Sequence, residues 1–281
     1  MQILKMVAEV KAYIRGVKAV GKSVGFVPTM GYLHEGHLTL MREAKANCDV
    51  VIVSIFINPL QFGVGEDFEE YPRDLTRDAE LCQSVGIGAI FAPAVAEMYP
   101  KGYHTFVDME ELPNHLCGLA RPGHFRGVST VVSKLFNIVQ PDKAFFGQKD
   151  AQQALIIKRL AADLNMNLEI VIVPIVREED GLAMSSRNVY LTPEERQAAP
   201  VLYQSLQQAK AAIEAGETKG EAIRNLMINS IQQQKLAKID YVEVVSRSSL
   251  EGLDRLEGEV LIAVAVCFGK TRLIDNIMLN I

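Results

Sequence analysis

Two histidines, His34 and His37, stand three residues apart in the stretch Phe26-Val27-Pro28-Thr29-Met30-Gly31-Tyr32-Leu33-His34-Glu35-Gly36-His37. The apolar run Val24–Val27 reads as a strand, Pro28 closes it, a turn follows, and a helix begins at the histidines. At that spacing the two imidazoles are expected on one helical face. A helix start carries unpaired backbone N–H groups and the positive end of the dipole, which together attract an anion. Gly36 lies between the rings, so a ligand can approach the backbone there without meeting a Cβ. Imidazoles that donate to phosphate oxygens on such a turn read as a triphosphate site. Two blander readings compete. The pair could be structural, hydrogen-bonded in a core. Zinc is the other option, but the spacing is not the i, i+4 pattern of a helical His pair, and no cysteine pair completes it.

Other polar clusters follow strand-like runs. Gly147-Gln148-Lys149-Asp150 precedes Gln152 and Gln153, and Lys149 there would be a point cation suited to phosphate. Asp150 reads equally as a helix N-cap with Gln153 in its capping box. That box competes with a role for Gln153 in holding a substrate hydroxyl or carboxylate. Met184-Ser185-Ser186-Arg187-Asn188 sets two hydroxyls beside a guanidinium, either as a mobile phosphate clamp or as a solvated loop. Asn58-Pro59-Leu60-Gln61-Phe62-Gly63 follows the second strand with a pair of amides. Arg121 and His124, just before a helix, could face an anion. Each cluster alone is weak. Their shared place on one rim of one sheet makes them a site.

The elements that would position them alternate β with α from Met1 to about Val176. Val50–Ile57 is a run dominated by β-branched residues, as in a strand buried on both faces. Further strands are expected at Ala89–Ala92, Lys143–Gly147 and Leu168–Ile175, with helices over Leu38–Cys48, Asp74–Val85, Val128–Val139 and Ala151–Leu164. This alternation predicts an α/β fold with a doubly wound parallel sheet whose ligands sit at the carboxyl ends of its strands. The texture changes near Arg177. Thr192-Pro193-Glu194-Glu195 is a capped helix start, Thr218 to Glu221 reads as a second one, and Tyr241–Ser246, Val260–Cys267 and Leu273–Leu279 read as strands. The expected organisation is therefore 1–176 as a Rossmann-like domain and 177–281 as a smaller α+β domain with antiparallel strands. The short joint suggests that the second closes directly over the first.

Composition narrows the class. The 281 residues are 49% hydrophobic and 22% charged with net charge −5, which fits an ordinary globular protein. No basic block exceeds two residues, which argues against a nucleic-acid partner. Cys48, Cys82, Cys117 and Cys267 are scattered and read as reduced thiols of a cytoplasmic protein. No apolar segment approaches a membrane span or a secretion signal, so no membrane partner is expected.

Over essentially its whole length the chain resembles the pantothenate synthetases (pantoate–β-alanine ligases). The resemblance rests on Pro28–His37, Asn58–Phe62, Tyr71-Pro72-Arg73, Arg121–Val128, Phe146–Gln153, Val176–Asn188 and Thr271–Ile277. That family belongs to a nucleotidyltransferase superfamily similar to class I aminoacyl-tRNA synthetases. His34 and His37 match its His-x-Gly-His motif. Met184-Ser185-Ser186-Arg187 stands where related enzymes carry Lys-Met-Ser-Lys-Ser, with Arg187 replacing a lysine. Leu60 and Ala151 depart from the commoner Thr and Tyr, and neither is assigned to chemistry.

The resemblance implies ATP-dependent condensation of pantoate with β-alanine through a pantoyl adenylate, with Mg2+ accompanying ATP. It implies that His34, His37 and Lys149 act in catalysis. Met30, Gly31, Tyr32, Leu33, Glu35, Gly36, Gly147, Gln148, Asp150, Val176, Met184, Ser185, Ser186 and Arg187 are expected around ATP with those three. Gln61 and Gln153 are expected to hold pantoate, with Pro28 and Met30 at its dimethyl end and Asn58, Tyr71, Arg121 and His124 as further contacts. No protein-held metal is expected, a homodimer is, and the Phe62–Tyr71 loop with the second domain is expected to act as a lid. Three alternatives stay open: an adenylyltransferase acting on a cofactor precursor, a tRNA-charging enzyme, and a non-catalytic nucleotide-binding module. Amine-dependent release of free AMP plus pyrophosphate separates the first from a ligase.

Overall fold

The β-branched runs form the middle of a parallel sheet. The computed structural model describes residues 1–63 and 65–281. Its first sheet holds β1 (Gln2–Leu4), β2 (Val24–Thr29), β3 (Val50–Ile55), β4 (Ala89–Phe91), β5 (Lys143–Gly147) and β6 (Glu169–Val173). They lie in the order β1-β4-β3-β2-β5-β6, with every pairing parallel. The helices of this half are α1 (Val7–Ala19), α2 (Glu35–Asn47), α3 (Leu75–Ser84), α4 (Val95–Met98), α5 (Leu116–Ala120), α6 (His124–Val139) and α7 (Ala151–Asp163). Residues of α1, α6 and α7 bury one face of the sheet, on which Phe26, Ile52 and Phe146 point. Those of α2 and α3 bury the other, with Val27, Val53 and Phe145. Phe26 and Val27 are neighbours facing opposite ways, the period-two alternation of a strand covered on both sides. Burying a side chain such as Phe26 contributes about 1.5–3 kcal/mol, which anchors the strand whose end carries the site.

Beyond β6 come α8 (Pro193–Ala198), α9 (Val201–Glu214) and α10 (Gly220–Gln232), then β7 (Ala237–Ser246), β8 (Glu259–Phe268) and β9 (Thr271–Asn280) in an antiparallel sheet. The middle strand β8 is buried continuously from Val260 to Val266. Val260, Ile262 and Val264 pack in one cluster with residues of α9 and α10. Leu261 and Ala263 face the other way and meet Leu116 and Ala151. The small sheet is thus wedged between its own helices and the first half of the chain.

The fold class is the expected one, and the differences are local. β1, α1, α4 and α5 lie outside the strands and helices expected from the sequence. The expected helix over Val128–Val139 starts earlier, at His124, after Gly123 in a left-handed conformation (φ 81°). The box expected at Thr218 does not form. The Thr218 carbonyl accepts the Leu256 N–H instead, and Lys219 bridges to Arg255. The helix begins only at Gly220, where a Cβ would stand 1.9 Å from the Leu253 carbonyl oxygen. The box expected at Asp150 is also absent, because a 3-10 turn over Gln148–Asp150 leads into α7. The Thr192–Glu195 box does form, with reciprocal bonds of 3.2 and 2.9 Å.

Candidate active site

The strand order reverses between β2 and β5: connections leave β2 toward β3 and β5 toward β6, on opposite sides of the sheet. The carboxyl ends of these two strands open a crevice of the kind that binds ligands in doubly wound sheets. The turn after β2 is held from below. Gly31 (φ 85°) and Tyr32 (φ 48°) both take left-handed backbone conformations. Asp78, on α3 and 1% exposed, accepts the N–H groups of Tyr32 at 2.8 Å and Leu33 at 2.7 Å. A Cβ at Gly31 would lie 2.9 Å from that same carboxylate, so only glycine fits.

This turn delivers His34 to the N-cap of α2 and His37 to its first turn. The expectation that both share a helical face is corrected, because His34 is extended (φ −139°). The rings nevertheless meet, with centroids 4.0 Å apart. His34 Nδ1 accepts the Gly36 N–H at 3.2 Å, and His37 Nδ1 accepts the His34 N–H at 3.3 Å. Two imidazoles thereby form a reciprocal cap of the kind usually made by hydroxyl and carboxylate side chains. Each ring's Nδ1 is an acceptor, which leaves Nε2–H as the donor it can offer. Gly36 is needed by the histidine itself, since its Cβ would approach His34 Cε1 to 2.9 Å.

Burial pushes His34 down to about 4, with the nearby Lys149 charge acting the same way. Burial likewise holds His37 well below its ordinary value, reinforced by His34 and Lys149. Both rings are therefore neutral donors near pH 7. The unfolded chain would bind these protons near pH 6.5, so this contribution to stability is complete above that pH and is lost on acidification toward pH 4. In histidine NMR, His34 should keep the neutral Nε2–H signature from pH 8 to about 5, with a midpoint near 4. A midpoint close to 6.5, assigned with His34→Gln, would make the ring a cation at working pH and defeat this assignment.

Lys149 stands across the crevice after β5, its Nζ 3.4 Å from Asp150 Oδ2. Gln153 lines the same cavity, whereas Gln152 turns away and accepts the Cys117 N–H at 2.9 Å. The third wall is a hairpin in which Met184 N–H donates to the Val176 carbonyl at 3.0 Å and Arg177 bridges to Ala183. Ser186 Oγ donates to the Tyr32 carbonyl at 3.2 Å, tying this wall to the histidine turn. Arg187 grips Asp67 through two bonds of 2.9 Å and lies 5.5 Å from the Tyr71 ring centroid. Burial opposes ionisation of Asp67, yet the guanidinium outweighs it and holds the carboxyl below its usual range.

These walls enclose a cavity of about 210 Å³ whose apolar floor includes Val128, Val131 and Leu135 of α6. Gln61 lines it with its Nε2 3.2 Å from Met30 Sδ. Its amide is oriented by Asn58, which is 1% exposed and fully engaged within the protein. Asn58 Nδ2 donates to Gln61 Oε1 at 3.2 Å and to the Gly127 carbonyl at 3.1 Å. Asn58 Oδ1 accepts from Tyr99 Oη at 2.8 Å and from Leu60 N–H at 3.3 Å. With its oxygen taken, Gln61 presents N–H to the cavity and would meet a ligand's acceptor.

The structure brings His34, Gly36, His37, Met30, Gly147, Lys149, Asp150, Val176, Met184, Ser185, Ser186, Arg187, Asn58, Gln61, Tyr71 and Gln153 to this one cavity. Others go elsewhere. Leu33 is fully buried in the core, and Glu35 pairs with Arg42 on the surface. Gly31 and Tyr32 shape the turn through their backbone. The Gln148 side chain donates to Asn276 at 3.2 Å. Arg121 and His124 line an adjoining cleft of about 1180 Å³. Both contact the Gln61 carbonyl, at 3.3 and 2.8 Å, so they act on its backbone. The Phe62–Tyr71 loop is pinned by Glu66 to Arg121, Asp67 to Arg187, and the Glu70 carbonyl to Tyr190. Its residue 64 lies outside the described residues. Asp78, Tyr99 and Asn276 had escaped sequence reasoning. Asp78 alone left a trace, as a carboxylate four residues before the buried Cys82 of α3. Among the described residues no group of three His, Cys, Asp or Glu side chains could hold a metal, and no helix is long and apolar enough to cross a membrane.

Known proteins are similar to this chain in sequence and fold. A family model described as pantoate-beta-alanine ligase matches residues 2–278. The chain is 61% identical to pantothenate synthetase of Pelotomaculum thermopropionicum over 280 residues, covering 100% of this chain and 99% of that one. It is 56% identical to that of Acetivibrio thermocellus over 281 residues, covering 100% of both. The crystal structure of pantothenate synthetase from Thermus thermophilus superposes with a TM-score of 0.94 at 45% identity and 99% coverage of each chain. A pantoate-beta-alanine ligase from Francisella tularensis, complexed with beta-gamma ATP and beta-alanine, gives 0.80 at 34% identity, covering 99% of this chain and 97% of that one.

Proposed function

The chain belongs to the pantoate–beta-alanine ligase family, and on that premise we propose which of its residues perform the ATP-dependent joining of pantoate to β-alanine. The carrying observation is convergence: neutral histidines, a lysine, a serine–arginine loop and two glutamines face one cavity at the strand-order reversal. Pantoate's carboxylate attacks the α-phosphorus of ATP, the bond to the β-phosphate oxygen breaks, and pyrophosphate leaves. The amine of β-alanine then attacks the acyl carbon, loses a proton, and AMP departs with its phosphate oxygen.

His34 and His37 donate from Nε2–H to phosphate oxygens, and Lys149, Ser185 and Arg187 meet the charge that moves onto pyrophosphate. Such groups act by positioning and electrostatics. Arg187 would exchange Asp67 for phosphate, an anion for an anion. Gln61 and Gln153 hold pantoate, with Met30 and the apolar floor against its methyl groups. The ligand-bound Francisella relative supports ATP and β-alanine as substrates here. Mg2+ enters with ATP as part of that substrate. Residues 1–176 form the domain that binds ATP and pantoate, and 177–281 the smaller one that contributes Ser185, Ser186 and Arg187. Its separate apolar core supports that division.

The two-step reading is tested by omitting substrates in turn. With ATP and pantoate alone, pyrophosphate should appear in amounts matching the enzyme, with pantoyl adenylate held non-covalently. Adding β-alanine to the isolated complex should yield pantothenate and AMP without further ATP. A pantoyl adduct on denatured protein, or no pyrophosphate until β-alanine is present, would sink the scheme. We also assign the protein to the cytoplasm as a homodimer. Four free cysteines support the compartment, and family resemblance supports the dimer. Cell fractionation and light scattering, the latter expected at twice the 31.0 kDa chain, check both.

A further inference from the structure

The phosphate-directed loops come from distant parts of the chain, yet one dipeptide on β9 touches both. Asn276 is 2% exposed, and its Nδ2 donates to the carbonyls of Gln148 at 2.9 Å and Lys149 at 3.0 Å. The Gln148 side chain returns a bond to Asn276 Oδ1 at 3.2 Å, which fixes the amide so that its nitrogen faces the two carbonyls. Asp275 is 3% exposed and takes Arg177 through bonds of 2.6 and 2.9 Å, and its Oδ1 also accepts the Asn276 N–H at 2.8 Å. Arg177 in turn donates to the Gly181 carbonyl at 3.0 Å and stacks 4.2 Å from the Tyr203 ring centroid. Arg177 opens the hairpin whose other arm leads into Met184, Ser185 and Arg187.

We propose that Asp275 and Asn276 are positioning residues that set the separation between Lys149 and the Ser185–Arg187 loop across the phosphate site. Two adjacent residues of one strand hold the two walls in a common frame. The small sheet thereby helps to organise the first half-reaction while contributing no group of its own to the substrate. An amide is the side chain suited to this place. A carboxylate at 276 would oppose two carbonyl oxygens, and an apolar residue would leave them without a donor. The inference rests on the assignment of Lys149 to phosphate made above.

The test is a double-mutant cycle read by the steady-state rate of pyrophosphate release with ATP, pantoate and saturating β-alanine. Asn276→Ala should lower kcat about tenfold or more, with KM for ATP and pantoate within about threefold, because misplacement affects the transition state more than binding. In a Lys149→Ala background the same change should cost less than about twofold, since no ammonium remains to be misplaced. Asn276→Ser keeps one donor and should fall between. If Asn276→Ala does not fold, Asn276→Ser and Gln148→Ala supply the cycle, each with a smaller loss absorbed by Lys149→Ala. Equal losses in both backgrounds, or wild-type kcat in the Asn276 variants, overturn the inference while leaving Lys149 in place. A Lys149→Ala enzyme with full activity overturns both.

Discussion

His37→Ala should lower the steady-state rate of pyrophosphate release, with ATP, pantoate and β-alanine all present, by roughly a hundredfold to a thousandfold, with little change in KM for ATP. His37 is half-buried and neutral, and with Nδ1 engaged by the His34 N–H it has one remaining donor. A neutral donor in a dry site gains most when charge builds on the oxygen it faces, and that happens as the α-phosphorus is attacked. The variant also loses half of the helix cap, a structural cost of about 1 kcal/mol that would appear in denaturation curves. Unfolding midpoint and kcat therefore separate the two roles. Gln61→Ala should behave differently, raising KM for pantoate far more than that for ATP, because its N–H is already oriented by Asn58. A His37→Ala enzyme keeping more than about a third of wild-type turnover would remove the ring from the chemistry.

The parts of this architecture that could be read from the sequence carry their signal locally. Val50–Ile55 announces a doubly covered strand because every residue is apolar or small, and covering helices on both sides require that. Lys149, Ser185, Arg187 and the histidines could be found because polar types clustered after strands, where a parallel sheet opens its crevice. β1 is three residues long and pairs only at the sheet's edge, too little for a period to show. The buried pair Val10 and Ile14 of α1 has helical spacing and was there to be found. The supporting groups are of another kind. Asp78 acts over 46 residues on Tyr32, Tyr99 over 41 on Asn58, and Asn276 over 128 on Gln148. Contacts at such separations leave no spacing pattern, since only the folded chain brings the partners together. The same holds for the partners of Arg121 and His124: Arg121 pairs with Glu66, and both reach the Gln61 carbonyl.

Asp78 carries the second large expected effect, because the histidine turn depends on it. Its two carboxylate oxygens each accept one N–H, from Tyr32 and Leu33, in a stretch where two successive residues take left-handed backbone conformations. Burial pushes its carboxyl above the ordinary range, and the two N–H bonds work against that cost. Asp78→Ala leaves both donors without an acceptor and should destabilise the protein by about 3 kcal/mol. Asp78→Asn is the sharper variant. An amide offers one oxygen, so its nitrogen must face the second N–H, and isosteric replacement should recover little of the loss. Both changes should also cut pyrophosphate release at least about tenfold, because the turn sets where His34 enters α2 and where Ser186 finds the Tyr32 carbonyl. Urea unfolding and single-turnover kinetics measure the two effects. If Asp78→Asn stays within about 0.5 kcal/mol of the parent and turns over normally, the turn is held by Gly31 and the strand ends alone, and the carboxylate is dispensable.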